Sequence, residues 1–432
     1  MAGMKIGIIE ESGIENQQIL QDFQEKQVET PFGKPSSPLI IGKIKGIDVV
    51  ILSRHGRKHE FPPTQINNKA NIYALKQEKC KFIISTTAVG SLKEGIKVGD
   101  FSIPDQFIDF TKKRDVTFFD KFEFGPIHTP MAKPFNDKLR KKLINACRKL
   151  NLPHHEKATV VTIEGPRFST IAESNMFRLL GADIIDMSIA PECILANEAE
   201  IPYATIAIST YYDCWRKDEE PVTWNDILKI FNENIGKVKE VLIKVVESFS
   251  IEQEYLQIKN KIRTIPNWPK QGVMFRDLTT LFKDKEGMKK IIEILHIRYK
   301  DKNIDIVAGV EARGFIIGGS LAEKLSCGFV PIRKKGLLPA ETISAEYSLE
   351  YGTGIAEIHK DAIQPGQNVL IVDDLIATSG TMCAACDLVS KLKGEIVECA
   401  SIVELDELGG RNKLEDKGHK LFSIVNFRED ES

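Results

Sequence analysis

Apolar positions recur along this chain in two rhythms, short contiguous runs and helix-spaced stripes, and together they divide it into two blocks. In the first block, branched apolar runs at residues 5–9, 48–52, 82–86, 158–163 and 204–210 predict strands. The block closes at residues 224–249, where Ile227, Leu228, Phe231, Ile235, Val238, Val241, Leu242 and Val245 recur at helical spacing. That stripe predicts a long terminal helix packed on a sheet. The second block resumes the alternation, with strands predicted at 305–310, 327–332, 368–372 and 397–404. Within it Met382, Cys386, Val389 and Leu392 predict a helix that Gly394 ends. Between the blocks the chain turns polar, with Glu252, Gln253, Glu254, Gln257, Lys259 and Asn260, and reads as a linker or as a helix entering the second domain. Strand and helix signals that alternate in both blocks predict an α/β fold in two domains, residues 1–250 and 251–432.

A chain of 432 residues has room for two or three domains, each with its own core. Its formal net charge of −2 gives no global field to draw it to DNA, RNA or an anionic membrane. No apolar run approaches membrane-spanning length, and the first residues carry no signal-peptide pattern. With eight scattered cysteines, this predicts a reducing, cytoplasmic setting. Cys383 and Cys386 form a C-x-x-C with no second pair, inside a predicted helix, and read as helix packing.

The densest chemistry lies at residues 369–381, Val-Leu-Ile-Val-Asp-Asp-Leu-Ile-Ala-Thr-Ser-Gly-Thr. Val369 to Val372 predict a strand buried in a parallel sheet. Asp373 and Asp374 follow at its carboxyl end, where open α/β sheets bind ligands, and paired carboxylates there suit vicinal sugar hydroxyls with a hydrated Mg²⁺. Ala377, Thr378, Ser379, Gly380 and Thr381 are small or hydroxylated, so their N–H groups can wrap a phosphate at the start of the next helix. Two acids followed by this run of small residues have no purely structural need.

From Arg263 to about Phe427 the chain resembles adenine phosphoribosyltransferase, a type I phosphoribosyltransferase with a doubly wound parallel sheet. The resemblance implies that Asp373 and Asp374 bind the ribose hydroxyls of 5-phosphoribosyl-1-pyrophosphate, that residues 377–381 hold its 5′-phosphate, and that Mg²⁺ arrives mainly on the substrate. Gly272-Val273-Met274-Phe275-Arg276-Asp277 is similar to the adenine pocket, with Phe275 stacking on the base and the backbone around Arg276 reading its edge. Glu311-Ala312-Arg313-Gly314-Phe315 is similar to the pyrophosphate turn, where Arg313 can give bidentate hydrogen bonds, and Arg333 and Lys334 would add charge beside the leaving group. Tyr347-Ser348-Leu349-Glu350-Tyr351-Gly352 resembles the mobile lid; Glu350 would handle the adenine proton and Tyr351 would help enclose the substrate. Leu337 stands where that family carries a second lysine, and Ser379 where it carries a glycine.

From Met4 to about Val246 the chain resembles 5′-methylthioadenosine phosphorylase, which has the purine nucleoside phosphorylase fold, a mixed sheet with flanking helices. The matching stretches include Ser53-Arg54-His55-Gly56-Arg57-Lys58-His59, Thr86-Thr87-Ala88-Val89-Gly90-Ser91-Leu92, Thr162-Ile163-Glu164-Gly165-Pro166-Arg167-Phe168-Ser169 and Asp213-Cys214-Trp215. The resemblance implies that Arg54, His55, Thr87, Ala88 and Ser188 hold phosphate, Ser12 belongs to the substrate-binding set, Met187 lies under the ribose, and Phe168 packs on the purine. Asp213 would engage the exocyclic amine, and His128 would reach a neighbouring subunit's site. No metal is expected: His55 and His59 have ligand-like spacing but no third ligand in view.

Two breaks fall on the chemistry. Where the family has a Gly-Gly-Thr-Gly or Gly-Gly-Ser-Gly loop against phosphate, this chain reads Glu10-Glu11-Ser12-Gly13, and two acids there oppose an anion. Where relatives read Thr-Asp-Tyr-Asp, with the first Asp on purine N7, this chain reads Thr210-Tyr211-Tyr212-Asp213. A phenol accepts a proton bond poorly.

The two halves together imply purine salvage: the first releases adenine from 5′-methylthioadenosine with phosphate, and the second converts adenine to AMP. A reading from another class makes the first half a nucleoside-binding or assembly module and leaves the second as the one enzyme; Glu10, Glu11 and Tyr211 favour it. A ligand-sensing regulator would need a DNA-binding segment and a basic patch, and the sequence carries neither. The first half resembles a trimeric family and the second a usually dimeric one, and the two resemblances together imply a homo-oligomer, trimer or hexamer.

Overall fold

In a computed structural model of the chain, the residues described are 4–11, 19–122, 125–216, 223–349, 352–428 and 431. They form two compact units, Met1–Ile251 and Glu252–Ser432.

In the first unit Lys5–Glu10 pairs in parallel with Ile47–Ser53 on one side and with Phe82–Ser91 on the other. Phe82–Ser91 also pairs in parallel with Tyr203–Tyr212, and its end meets Ile184–Asp186 antiparallel. The sheet is therefore mixed, as the family resemblance implied. Side chains alternate across it. Ile6, Ile8, Val49 and Ile51 join a core that holds Leu139, Leu143, Phe231, Val238, Val241 and Val245 from the helices Asp137–Lys149 and Trp224–Asn260. Ile9, Val50 and Leu52 join a second core with Ile72 and Leu75 from Asn68–Gln77 and Leu195 from Ile189–Glu198. The long helix extends to Asn260, so the polar stretch between the blocks is helical.

In the second unit Gly328–Lys334, Ile306–Val310, Asn368–Val372, Glu395–Leu405 and Leu421–Phe427 lie side by side in parallel. Val369 and Ile371 face Met382, Cys386 and Val389 of the helix Gly380–Lys391, whereas Leu370 and Val372 face Ile291, Leu295, Ile317 and Leu321 of Lys285–Tyr299 and Gly314–Leu325. Helices on both faces make the sheet doubly wound. One edge departs from an all-parallel sheet: Thr342–Leu349 and Gly352–His359 form an antiparallel hairpin on Gly328–Lys334. None of the described helices is long and apolar enough to cross a membrane.

Candidate active sites

The carboxyl ends of the second unit's parallel strands open into a cavity of about 600 Å³. Asp373 and residues Ala377 to Thr381 form one wall, Gly272 to Arg276 another, and Leu405, Glu407 and Leu408 a third. The loop turns sharply at Ser379, which has φ 59° and ψ 15°, and the helix Gly380–Lys391 starts there. A left-handed residue is cheapest as glycine, which gives the family's usual glycine a physical reason and costs this serine about 1 kcal/mol. Its Oγ is buried without a hydrogen-bond partner. Gly410 packs against this loop so closely that a Cβ there would stand 2.6 Å from the Ser379 Oγ and closer still to the Ala377 carbonyl oxygen.

The two acids diverge. Asp373 faces the cavity, while Asp374, only 4 % exposed, pairs through Oδ2 with Arg313 Nε at 2.7 Å. Burial, and then the neighbouring acid, pushes Asp373 far above the ordinary carboxylate range; burial also raises Asp374, against the pull of Arg313. Asp373 offers the hard oxygen that Mg²⁺ takes, yet among the described residues no group of three His, Cys, Asp or Glu could hold a metal. An ion here would need substrate and water oxygens.

Phe275 lines the cavity with its ring edge-on to Trp268 at 4.3 Å, and the Arg313 guanidinium lies 6.0 Å from the Phe275 ring centre. The Arg276 side chain is structural: it donates to Thr264 Oγ1 at 2.5 Å and to the carbonyls of Arg428 and Glu431 at 3.0 and 2.6 Å. Arg333 and Lys334 do not line this cavity. Arg333 is tied to Glu311 at 3.1 Å and to the Leu337 carbonyl at 3.1 Å, and Lys334 is exposed. Glu350 and Tyr351 lie outside the described residues.

The first unit holds a cavity of about 380 Å³ over the ends of Lys5–Glu10, Phe82–Ser91 and Tyr203–Tyr212. Of the residues expected there, His55, Thr87, Ala88, Phe168, Met187 and Ser188 line it. Arg54 does not. It is fully buried, with Nε and Nη2 on Glu192 at 2.6 and 3.1 Å and Nη1 on Glu11 at 2.7 Å. Burial works against its charge, but Glu192 and Glu11 outweigh it and hold the guanidinium protonated. Asp213, 2 % exposed, accepts the Ser169 hydroxyl at 2.5 Å and is absent from the cavity wall. His128 is exposed beside Phe122, away from this cavity, and Ser12 lies outside the described residues.

The acid pair does not act as the sequence suggested. The strand ends at Glu10, and Glu11 stands in the bend that follows it. Glu10 turns inward, fully buried, and accepts the Ser53 hydroxyl at 3.1 Å. Glu11 alone lines the cavity, 2.7 Å from Arg54 and 3.7 Å from His55 Nε2. Its carboxylate therefore occupies the cations' anion position rather than merely repelling an anion from nearby. Sequence reasoning missed Glu192, which completes the Arg54 clamp from 138 residues away. It also missed Asp186, whose two oxygens accept Thr162 Oγ1 and the Ser188 and Ile189 N–H groups, and which burial raises to about 6. No local pattern marks either residue.

Comparison with known proteins fits this geometry. The family model described as the phosphorylase superfamily matches residues 5–247, and that described as the phosphoribosyl transferase domain matches residues 277–431. An S-methyl-5′-thioadenosine phosphorylase of Xenopus tropicalis is 51 % identical over 253 residues, 57 % of this chain and 90 % of that protein. The Drosophila melanogaster protein of the same name is 45 % identical over 274 residues, 63 % of this chain and 95 % of its own. A methylthioadenosine phosphorylase from Schistosoma mansoni, solved in complex with adenine, superposes with a TM-score of 0.55 at 37 % identity, over 57 % of this chain and 92 % of that one. The chain thus belongs to the phosphorylase superfamily through its first unit and carries a phosphoribosyl transferase domain in its second.

Proposed function

We propose that the second unit is an adenine phosphoribosyltransferase and that the first binds 5′-methylthioadenosine or a related adenine nucleoside. One observation carries this reading: a cavity with a phosphate loop facing an aromatic platform sits in the same chain as a unit 45–51 % identical to S-methyl-5′-thioadenosine phosphorylases. Adenine is the base that links the two. In the proposed transfer, N9 of adenine bonds to the anomeric carbon of 5-phosphoribosyl-1-pyrophosphate, the bond from that carbon to the pyrophosphate oxygen breaks, and the N9 proton passes to a base. Glu350 is assigned to that proton, Asp373 to the sugar, and the N–H groups of residues 377–381 to the 5′-phosphate. Mg²⁺, held by Asp373 together with substrate oxygens, would neutralise charge on the departing pyrophosphate. Arg313 would have to leave Asp374 to reach it. AMP formation by the intact chain from adenine, against hypoxanthine and guanine, tests the reading. Asp373→Asn should cut turnover by about 10² or more; AMP formation at the unmodified rate would remove the assignment.

For the first unit, the Glu11–Arg54 pair favours a second reading, a nucleoside-binding module with phosphorolysis slow or absent. Adenine release from 5′-methylthioadenosine, with and without phosphate, separates phosphorylase, hydrolase and inert module. We further propose assembly as a trimer or hexamer. Light scattering that gives a monomer at micromolar concentration would overturn it.

A further inference from the structure

A second cavity in the first unit, of about 400 Å³, opens where the helix Asn68–Gln77 begins. Among the described residues it shares no wall with the larger cavity: Pro63 lines that one, and the next residue, Thr64, lines this one. The wall is basic, with Lys69, Lys113 and Arg114 against one acid, Asp115, among the described residues. Two acceptors hold it in place. Asn67 Oδ1 accepts the Ala70 N–H at 3.0 Å while its Nδ2 donates to the Phe32 carbonyl at 2.7 Å, which fixes the helix start. Glu164 Oε2 accepts the N–H groups of Lys112 and Lys113 at 2.5 and 3.0 Å, which fixes the loop that carries Arg114.

Arg114 is the residue that points to a ligand. Its side chain is 2 % exposed. Nε and Nη2, which share one edge of the planar guanidinium, donate to Glu164 Oε1 at 3.0 Å and to the Glu164 carbonyl at 2.5 Å. Glu164 does not line the cavity but Arg114 does, so the opposite edge is the one turned to it. That edge carries Nη1, which is buried and has no hydrogen-bond partner among the described residues. A buried donor left unmet is costly and rare in folded proteins, and here a ligand oxygen would meet it. Lys69 reinforces the charge: its ammonium stands 5.1 Å from the Phe32 ring centre and 3.9 Å from Asp120, an acid so exposed that it offsets the lysine little. The helix start adds its own positive end. We infer that this cavity binds the phosphoryl group of a small anion, with Arg114 Nη1 and the Lys69 and Lys113 ammonium groups donating to its oxygens. A phosphoryl group offers several charged acceptors to converging cations, whereas a neutral ligand would leave their charge unmet. Inorganic phosphate and a phosphate monoester share that chemistry.

The test is equilibrium dialysis of the intact chain against radiolabelled inorganic phosphate and, separately, radiolabelled ribose 5-phosphate. It is repeated on the double variant Lys69→Gln, Lys113→Gln, which leaves the Arg114–Glu164 pair untouched, and on Arg114→Gln. Anion bound in the other two cavities is common to all three proteins and cancels in the difference. The expected result is that the double variant loses one bound anion per chain, or binds it at least about tenfold more weakly, and that Arg114→Gln loses the same one. A loss seen with inorganic phosphate assigns the free anion; a loss confined to ribose 5-phosphate assigns a monoester. Equal binding of both anions by the unmodified chain and the double variant overturns the inference, and so does a folded Arg114→Gln that keeps the full complement. Should Arg114→Gln fail to fold, the double variant decides alone.

Discussion

Removing Glu11 should make the first unit respond to phosphate. In Glu11→Ala, Arg54 loses its partner at 2.7 Å but keeps Glu192 at 2.6 and 3.1 Å, so its charge stays compensated. Stripping a buried ion of its only partner costs about 3–5 kcal/mol; with Glu192 in place we expect about 1–2. The gain for an incoming anion is larger. Two like unit charges 4 Å apart at an effective dielectric of 20 repel by about 4 kcal/mol, roughly a thousandfold in Kd. Phosphate at ten times the variant's Kd should stabilise the fold by RT ln 11, about 1.4 kcal/mol. For a unit of this size that is about 3–6 °C in the unfolding midpoint. The assay is thermal unfolding of both proteins with and without phosphate, read as the difference between them, because any phosphate bound by the second unit is common to both. A shift in the unmodified chain as large as in the variant would refute the idea that Glu11 fills the anion position. So would a folded variant that phosphate does not move.

Two further outcomes follow from packing and charge in the second unit. Gly410→Ala must push on the Ala377 carbonyl and the Ser379 hydroxyl, and should cost about 1–3 kcal/mol and raise KM for 5-phosphoribosyl-1-pyrophosphate; steady-state kinetics with an unchanged KM would contradict the close approach. Glu398 is gripped by Arg298 at 2.7 and 2.7 Å, by Tyr299 at 2.8 Å and by Lys302 at 3.2 Å, and although burial opposes its charge, these partners hold its pKa down to about 2 against an ordinary 4.5. A depressed acid stabilises above its unfolded value. Glu398→Gln should therefore cost about 2–3 kcal/mol near neutrality, with the gap to the unmodified chain closing as pH falls from about 4.5 towards 2 in denaturant titrations; a gap that widened with acid would refute the sign.

What the sequence made legible depends on how burial writes itself into a chain. Strands buried on both faces must be apolar throughout, so 306–310 and 368–372 were readable as runs. Gln21–Lys26 is an edge strand exposed at every position, and its polar sequence carries no such mark. The paired strands Thr342–Leu349 and Gly352–His359 were missed because Ser, Glu and Gly interrupt their apolar residues, so neither reads as a continuous apolar run. The same contrast separates the two cavities. The loop at residues 377–381 is contiguous and begins a helix, so the chemistry proposed for it could be read from adjacent letters. The first cavity is assembled from distant segments, and its decisive interaction joins residues 11, 54 and 192.

That assembly changes the meaning of the acid pair. Read as letters, Glu10 and Glu11 are two equal charges beside a phosphate. Glu10 ends the strand and accepts the Ser53 hydroxyl in the interior, whereas Glu11 stands in the bend that follows and reaches the cavity. A glycine at position 11 would leave Arg54 with spare donor capacity beside His55 and Thr87, which is what an anion needs. A glutamate there uses that capacity permanently. Tyr211 lines the same cavity beside Phe168, and a phenol is a poor acceptor where the family resemblance implies an acid. On the proposed reading each change would lower a rate, while Phe168, Met187 and Ser188 stay on the cavity wall. Such a combination fits a site that holds a nucleoside longer than it cleaves one.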